Sequence, residues 1–210
     1  MTRFADRRTA GQALAEALGV YANRSDVIVV GVPRGGVPVA AEVAHALRAP
    51  LEILVVRKLG APMQPELALG AIASGGFRVV DEVLVRTLGV SAMELAAVES
   101  SERAELVRRE GRYRAGRVAL SLAGRTVILV DDGLATGATM RVAIQAVRAA
   151  KATRVIVAVP VAPPETMERL RAEADEVVCL QTPAHFAGVG AWYERFPQLT
   201  DADVLALLGS

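Results

Sequence analysis

Residues 127–140 read VILVDDGLATGATM: four apolar residues run into two adjacent aspartates, then into a loop of glycine, alanine and threonine. A short β-branched run bounded by turn residues is the signature of a strand buried on both faces. Unpaired carboxylates inside such a sheet are too costly to expect. Asp131 and Asp132 therefore belong at the strand's carboxyl end, facing a polar ligand. Gly133 and Gly137 permit a tight turn, Thr136 and Thr139 offer hydroxyls, and a helix is expected over about 138–150. Backbone N–H groups, the helix dipole and small side chains together make a nest for a phosphate. Two carboxylates ahead of that nest suit the vicinal hydroxyls of a sugar phosphate. The competing reading is an Asx-capped strand-to-helix turn with incidental threonines. The loop has neither the Gly-Lys-Ser/Thr of a P-loop nor a Gly-x-Gly-x-x-Gly pattern.

Working outward, VIVVGVP (27–33) is another buried strand, followed by Arg34, Gly35 and Gly36 and a helix that closes before Pro50. LEILVVRKLG (51–60) reads as a second buried strand ending in Arg57 and Lys58, and 68–80 as a hairpin around Gly75 and Gly76. A first helix is expected over 10–19, with a glycine stop. Strands follow at 154–162 and 176–180, separated by a helix with Pro in its first turn. This alternation predicts an α/β fold: a mostly parallel central sheet flanked by helices and built from right-handed crossovers. Ligands of such sheets bind outside the carboxyl ends of the strands, here 33–36, 57–60, 131–139 and 160–164.

Residues 81–116 are charged and helical, with Glu99 before Arg103 and Glu105 before Arg109 at helical spacing. They read first as a solvated helix face. The expected organisation is a core in two parts, 1–80 and 119–180, a helical insertion at 81–118 and a carboxyl-terminal subdomain at 181–210. That last segment holds the only Trp, Trp192, together with Phe186, Tyr193 and Phe196. An aromatic cluster pinning the tail to the core is favoured over base stacking.

Among 210 residues, 24 basic against 23 acidic side chains leave a net charge of +1, with no basic field for nucleic acid or a membrane surface. One cysteine, Cys179, excludes an internal disulfide, and two distant histidines, His45 and His185, argue against a His-rich metal site. No apolar run approaches the ~20 residues of a membrane span, and the first residues lack a signal-peptide core. The expectation is a soluble cytoplasmic protein. Homo-oligomerisation stays open.

The stretch VILVDDGLATGAT resembles the phosphoribosyl-diphosphate (PRPP) signature of the type I phosphoribosyltransferases. It departs at Gly133, where an aliphatic residue is usual. The resemblance implies that Asp131 and Asp132 hold the ribose 2- and 3-hydroxyls. It further implies that Ala135, Thr136, Gly137, Ala138 and Thr139 enclose the 5-phosphate. By the same resemblance, Arg34, Gly35 and Gly36 form the pyrophosphate loop, and Arg57 and Lys58 extend onto the diphosphate. Residues 60–67 take the place of the mobile loop that closes over the reacting centre. Mg2+ is the implied cofactor, with Asp131 and Asp132 as its protein ligands, and PRPP the co-substrate. PRGG, RKLGAP, DDGLATGAT and WYERF together resemble a bacterial subgroup of that family.

The implied activity is pentosyl transfer from PRPP to a base or amine acceptor, with pyrophosphate released. Ala135 stands where enzymes for 6-oxopurines carry an aspartate that acts on the purine N7, so hypoxanthine and guanine are poor candidates. The base pocket falls to the insertion, the tail or both. A PRPP- or nucleotide-sensing protein without turnover is the alternative. Retention of Arg57, Lys58 and a closing loop favours an enzyme.

Overall fold

The computed structural model describes residues 2–114, 116 and 118–208. Five parallel strands form the central sheet: β1 (Val27–Gly31), β2 (Leu51–Ile53), β6 (Thr126–Val130), β7 (Arg154–Val161) and β8 (Glu176–Gln181), in the order β2-β1-β6-β7-β8. Between β2 and β6 lies a separate antiparallel sheet of β3 (Val56–Ala61), β4 (Gln64–Ala73) and β5 (Phe77–Val80).

Alternation along the buried strands builds the two main layers. Val127 and Leu129 of β6 pack with Met140, Ala143, Ile144 and Val147 of α5 (Ala138–Ala149) and with Met167 and Leu170 of α6 (Pro164–Arg171). Ile128 and Val130 face the other way, onto Leu14 and Leu18 in and just after α1 (Arg7–Ala17), and onto Val39, Val43 and Leu47 of α2 (Gly36–Leu47). Each fully buried Val, Leu or Ile contributes roughly 1.5–3 kcal/mol, so the apolar runs that mark the strands also hold the layers together.

The stretch 51–60 is not one strand. β2 pairs with β1 only through Ile53, opposite Gly31, and the chain then leaves the central sheet to begin β3. Arg57 and Lys58 therefore lie within β3, opposite Ile72 and Ala71 of β4, rather than at the carboxyl end of a parallel strand. The break follows a change of partner: Leu51–Ile53 pair with β1 in parallel, and Val56–Ala61 pair with β4 in an antiparallel hairpin. Residues 60–67, the expected place of the mobile loop, form the tip of the β3–β4 hairpin, with Met63 exposed.

The charged segment forms α3 (Glu82–Thr87) and α4 (Ala92–Arg114). The solvated-face reading holds for only part of α4. Its Leu106 and Tyr113 are buried with Leu59 and Ile72 of the small sheet and Val204 of α7 (Asp201–Leu208), a helix the sequence did not announce. The Tyr113 hydroxyl donates to Asp201 Oδ1 at 2.6 Å, which fastens α7 to α4. Burial, then the Asp201 hydrogen bond, pushes the Tyr113 phenol up to about 12. Helix α1 starts at Arg7, three residues before the sequence expectation, because Asp6 caps it: Asp6 Oδ1 accepts from Thr9 N at 2.9 Å, and Thr9 Oγ1 accepts from Asp6 N at 3.0 Å.

Candidate active site

Strands β1 and β6 run side by side in parallel, with Gly31 opposite Val130, so the segments that follow them emerge together. Val32 N donates to the Val130 carbonyl at 3.0 Å, and Gly36 N turns back to the Val32 carbonyl at 3.0 Å as α2 begins. The Pro33–Arg34 peptide is cis. A Cβ on Gly35 would lie 2.1 Å from Asp132 Oδ2, and one on Gly36 would lie 2.5 Å from the Val130 carbonyl oxygen. Gly35 has ordinary helical dihedrals, φ −58 and ψ −38. The requirement for glycine here is therefore space: this loop packs directly on the acid pair.

Asp132 is buried, and its Oδ2 accepts from Arg7 Nε at 2.7 Å. Asp131 Oδ1 accepts from the Asp132 amide at 2.9 Å. Burial, reinforced by the negative charge of Asp132, holds the Asp131 carboxyl well above the usual range. Burial also raises Asp132, with Arg7 opposing it. The two adjacent carboxyls are hard oxygen donors of the kind that suit Mg2+. Among the described residues no group of three or more His, Cys, Asp or Glu gathers into a metal cage. A cation here would take the rest of its oxygens from water and a ligand, which is how Mg2+ is usually held.

Beyond the acids, the loop is anchored from beneath. Leu134 N donates to the Val161 carbonyl at 3.0 Å, and Thr166 Oγ1 of α6 donates to the Ala135 carbonyl at 2.6 Å. Gly137 adopts φ 74 at the N-cap of α5, a conformation that favours glycine. Ala135, Thr136, Ala138 and Thr139 remain exposed above these anchors. The first-turn amides of α5 have no intrahelical partners by construction, and the positive end of the helix dipole adds to them. Thr136 Oγ1 accepts from Ala138 N at 3.4 Å. Gly133 also has an explanation: a Cβ there would come 2.6 Å from Val189 Cγ1, so a tail side chain fills the space an aliphatic residue would need.

A cleft of about 370 Å3 opens beside the acids, lined by Arg7, Arg34, Gly35, Asp132 and tail residues 196–199. Of the four tail aromatics, Tyr193 and Phe196 engage each other and the amino-terminal segment. Tyr193 lies 5.7 Å from Phe4 and 4.9 Å from Phe196, and the Arg7 guanidinium lies 3.7 Å from the Phe196 centroid. The Tyr193 hydroxyl donates to the Asp132 carbonyl at 2.5 Å, and burial raises its pKa.

Arg57 and Lys58 line a second cleft of about 440 Å3, between the hairpin and α4, that shares no lining residue with the first. Arg57 Nε donates to Glu102 at 2.7 Å, and Lys58 Nζ to Glu66 Oε2 at 3.1 Å. Asp131, Asp132, Arg34, Gly35, Gly36 and the loop 135–139 are thus brought together, and Arg57 and Lys58 are held apart from them by acids. The sequence reading missed Arg7, Thr166 and Val189, and placed Tyr193 only in an aromatic cluster pinning the tail, without its hydrogen bond to Asp132. Only Arg7 carried a signal, the Asp6–Thr9 capping box that starts its helix, and that signal says nothing of a reach to Asp132.

The acid pair and the α5 N-terminus after β6, beside the glycine loop after β1, lie at the carboxyl ends of adjoining parallel strands, where ligands of open α/β sheets bind. The chain belongs to the phosphoribosyl transferase domain family, which matches residues 7–194. It is 50% identical over 208 residues to the Mycobacterium tuberculosis H37Rv protein named "Putative phosphoribosyl transferase Rv0571c", covering 99% of this chain and 47% of that protein. The chain thus spans about half the length of the curated relatives it matches. The structure is similar to that of TT1426 from Thermus thermophilus, with a TM-score of 0.86, 47% identity and coverage of 99% and 98% of the two chains. A hypoxanthine-guanine phosphoribosyltransferase of Bacillus anthracis shares the fold alone, at a TM-score of 0.50 and 12% identity over 88% of this chain and 85% of that one.

Proposed function

We propose that the chain transfers the 5-phosphoribosyl group of PRPP to a base or amine acceptor, releasing pyrophosphate, with Mg2+ required. The observation that carries this is the convergence of Asp131 and Asp132, the α5 N-terminus and the glycine-packed loop 34–36 at the carboxyl end of the sheet. In this reading the bond from the ribose anomeric carbon to the diphosphate oxygen breaks as the acceptor attacks. Positive charge builds on the sugar and negative charge on the leaving group. Positioning and electrostatics then account for most of the catalysis.

Asp131 and Asp132 orient the ribose hydroxyls beneath the developing cation, and the exposed loop 135–139 binds the 5-phosphate. Arg34 and the backbone of Gly35 and Gly36 hold the diphosphate. Asp131 and Asp132 would hold Mg2+, which would supply positive charge to offset the charge developing on the leaving diphosphate. Arg57 and Lys58 join only if the hairpin moves and they exchange Glu102 and Glu66 for phosphate. Closure of that kind excludes water from the reacting centre.

The test is an acceptor screen: protein, PRPP and Mg2+ with a panel of bases and amines, scored for pyrophosphate release. Hypoxanthine and guanine should be slow, since Ala135 has no proton to exchange with N7, and a positioned acid/base group is worth roughly 10²–10⁴-fold. Fast formation of inosine or guanosine monophosphate would defeat that assignment. A non-catalytic PRPP sensor is the second reading, and one observation favours it: both hairpin cations are paired with carboxylates outside the acid-pair cleft. PRPP binding without turnover against any acceptor would select it.

A further inference from the structure

The acid pair is secured by residues far from the loop that carries it. Arg7 is 8% exposed; its Nε donates to Asp132 Oδ2 at 2.7 Å and its Nη1 to the Pro197 carbonyl at 2.9 Å. Its guanidinium also covers the Phe196 ring at 3.7 Å. One side chain thus touches both the acid and the tail segment that walls the same cleft.

The position is electrostatically awkward for any other purpose. Arg7 is the first residue of α1, where the helix dipole disfavours a cation, and no acidic residue occupies that first turn. The planar fork of donors is also specific to arginine: two nitrogens reach two acceptors while the face stacks on a ring. A lysine can keep the charge beside Asp132 but cannot make all three contacts.

We propose that Arg7 is a positioning residue. It fixes the Asp132 carboxylate for the sugar and locks residues 196–199 as a wall of the cleft, coupling tail placement to ribose binding through one guanidinium. The inference rests on reading Asp131 and Asp132 as the ribose site.

Two measurements separate it from that reading. Calorimetry on the wild type, Arg7→Gln and Arg7→Lys compares affinity for PRPP with affinity for inorganic pyrophosphate, which has no ribose. Hydrogen exchange over residues 193–200 is followed without ligand. Arg7→Gln should weaken PRPP by roughly tenfold or more, the loss expected for one charge-assisted hydrogen bond. Pyrophosphate, which carries no ribose for Asp132 to hold, should lose less affinity than PRPP, and in Arg7→Lys, which keeps the charge of the shared cleft, it should stay near wild type. Exchange at 193–200 should accelerate in both variants, and Arg7→Lys should recover part of the PRPP affinity. Equal losses for PRPP and pyrophosphate, or unchanged exchange in both variants, overturn the proposal. If the wild type binds no PRPP, the ribose reading fails by itself; faster exchange in Arg7→Lys then still supports the lock, and unchanged exchange removes it. Arg7→Lys keeps the charge and serves alone should Arg7→Gln not fold.

Discussion

Gly35 is the residue on which the site's geometry turns, because the carboxylate of Asp132 occupies the space where its side chain would be. Gly35→Ala asks for a contact at 2.1 Å, and the flexible partner that must yield is Asp132 itself. The backbone there is ordinary, so the fold should survive while PRPP affinity falls by roughly tenfold or more, as for loss of a charged hydrogen bond. Calorimetry with circular dichroism tests this, and a folded variant with wild-type affinity would remove Asp132 from the binding site. Asp131 gives a second residue-level expectation. Burial raises its carboxyl pKa in the folded state, so the folded protein holds that proton more tightly than the unfolded chain does. Stability from this group is full below the ordinary value of 3.8 and is lost as pH rises toward the folded value. Asp131→Asn should therefore melt above the wild type at about pH 8, with the gap closing toward about pH 4, while PRPP binding is lost. A variant that melts lower at the higher pH would contradict the burial argument.

At the level of elements, the apolar runs 27–31, 126–130 and 154–161 were legible because a strand buried on both faces must be largely apolar, and the half-buried edge strand 176–181 was legible from its apolar centre, Val177–Leu180. Helix α5 was legible for the same kind of reason, lying between a glycine N-cap and a covered face. The split of 51–60 was not. LEILVV looks continuous, and what divides it is a choice of partner, β1 for Leu51–Ile53 and β4 for Val56–Ala61, which no local pattern encodes. That choice also decides where Arg57 and Lys58 stand. The burial of α4 escaped notice because its charges dominate its sequence, whereas its contacts depend on only a few large residues such as Leu106 and Tyr113. Among its charges, Glu102 holds Arg57 in a half-exposed pair. Glu102→Gln should cost under about 1 kcal/mol of stability. If Arg57 serves the diphosphate, the same change should strengthen PRPP while leaving ribose 5-phosphate unaltered, because the acid no longer competes. Parallel titrations with the two ligands decide it, and an equal response to both would assign Arg57 to the fold alone.

The whole molecule brings its two terminal regions to its middle. Phe4 and Arg7 from the first turns meet Tyr193, Phe196 and Pro197 from the tail, and both sides close on Asp132. A chain ended after Gln181 keeps every strand of the central sheet but loses the cleft wall, the Tyr193 hydrogen bond and α7. It should melt at a lower temperature and bind PRPP far more weakly, while retaining the far-ultraviolet signal of the sheet and its helices. Undiminished affinity in that shortened chain would show that the tail has no part in the site. Arg7 reaches across 125 positions to Asp132 and across 190 to Pro197. During synthesis the loop 133–139 leaves the ribosome well before the residues that complete its neighbourhood. A nascent chain can thus hold its sheet and its loop while Asp132 still lacks the Tyr193 hydroxyl at its carbonyl and Arg7 lacks its second acceptor, so the cleft gains its outer wall only once Tyr193, Phe196 and Pro197 have emerged.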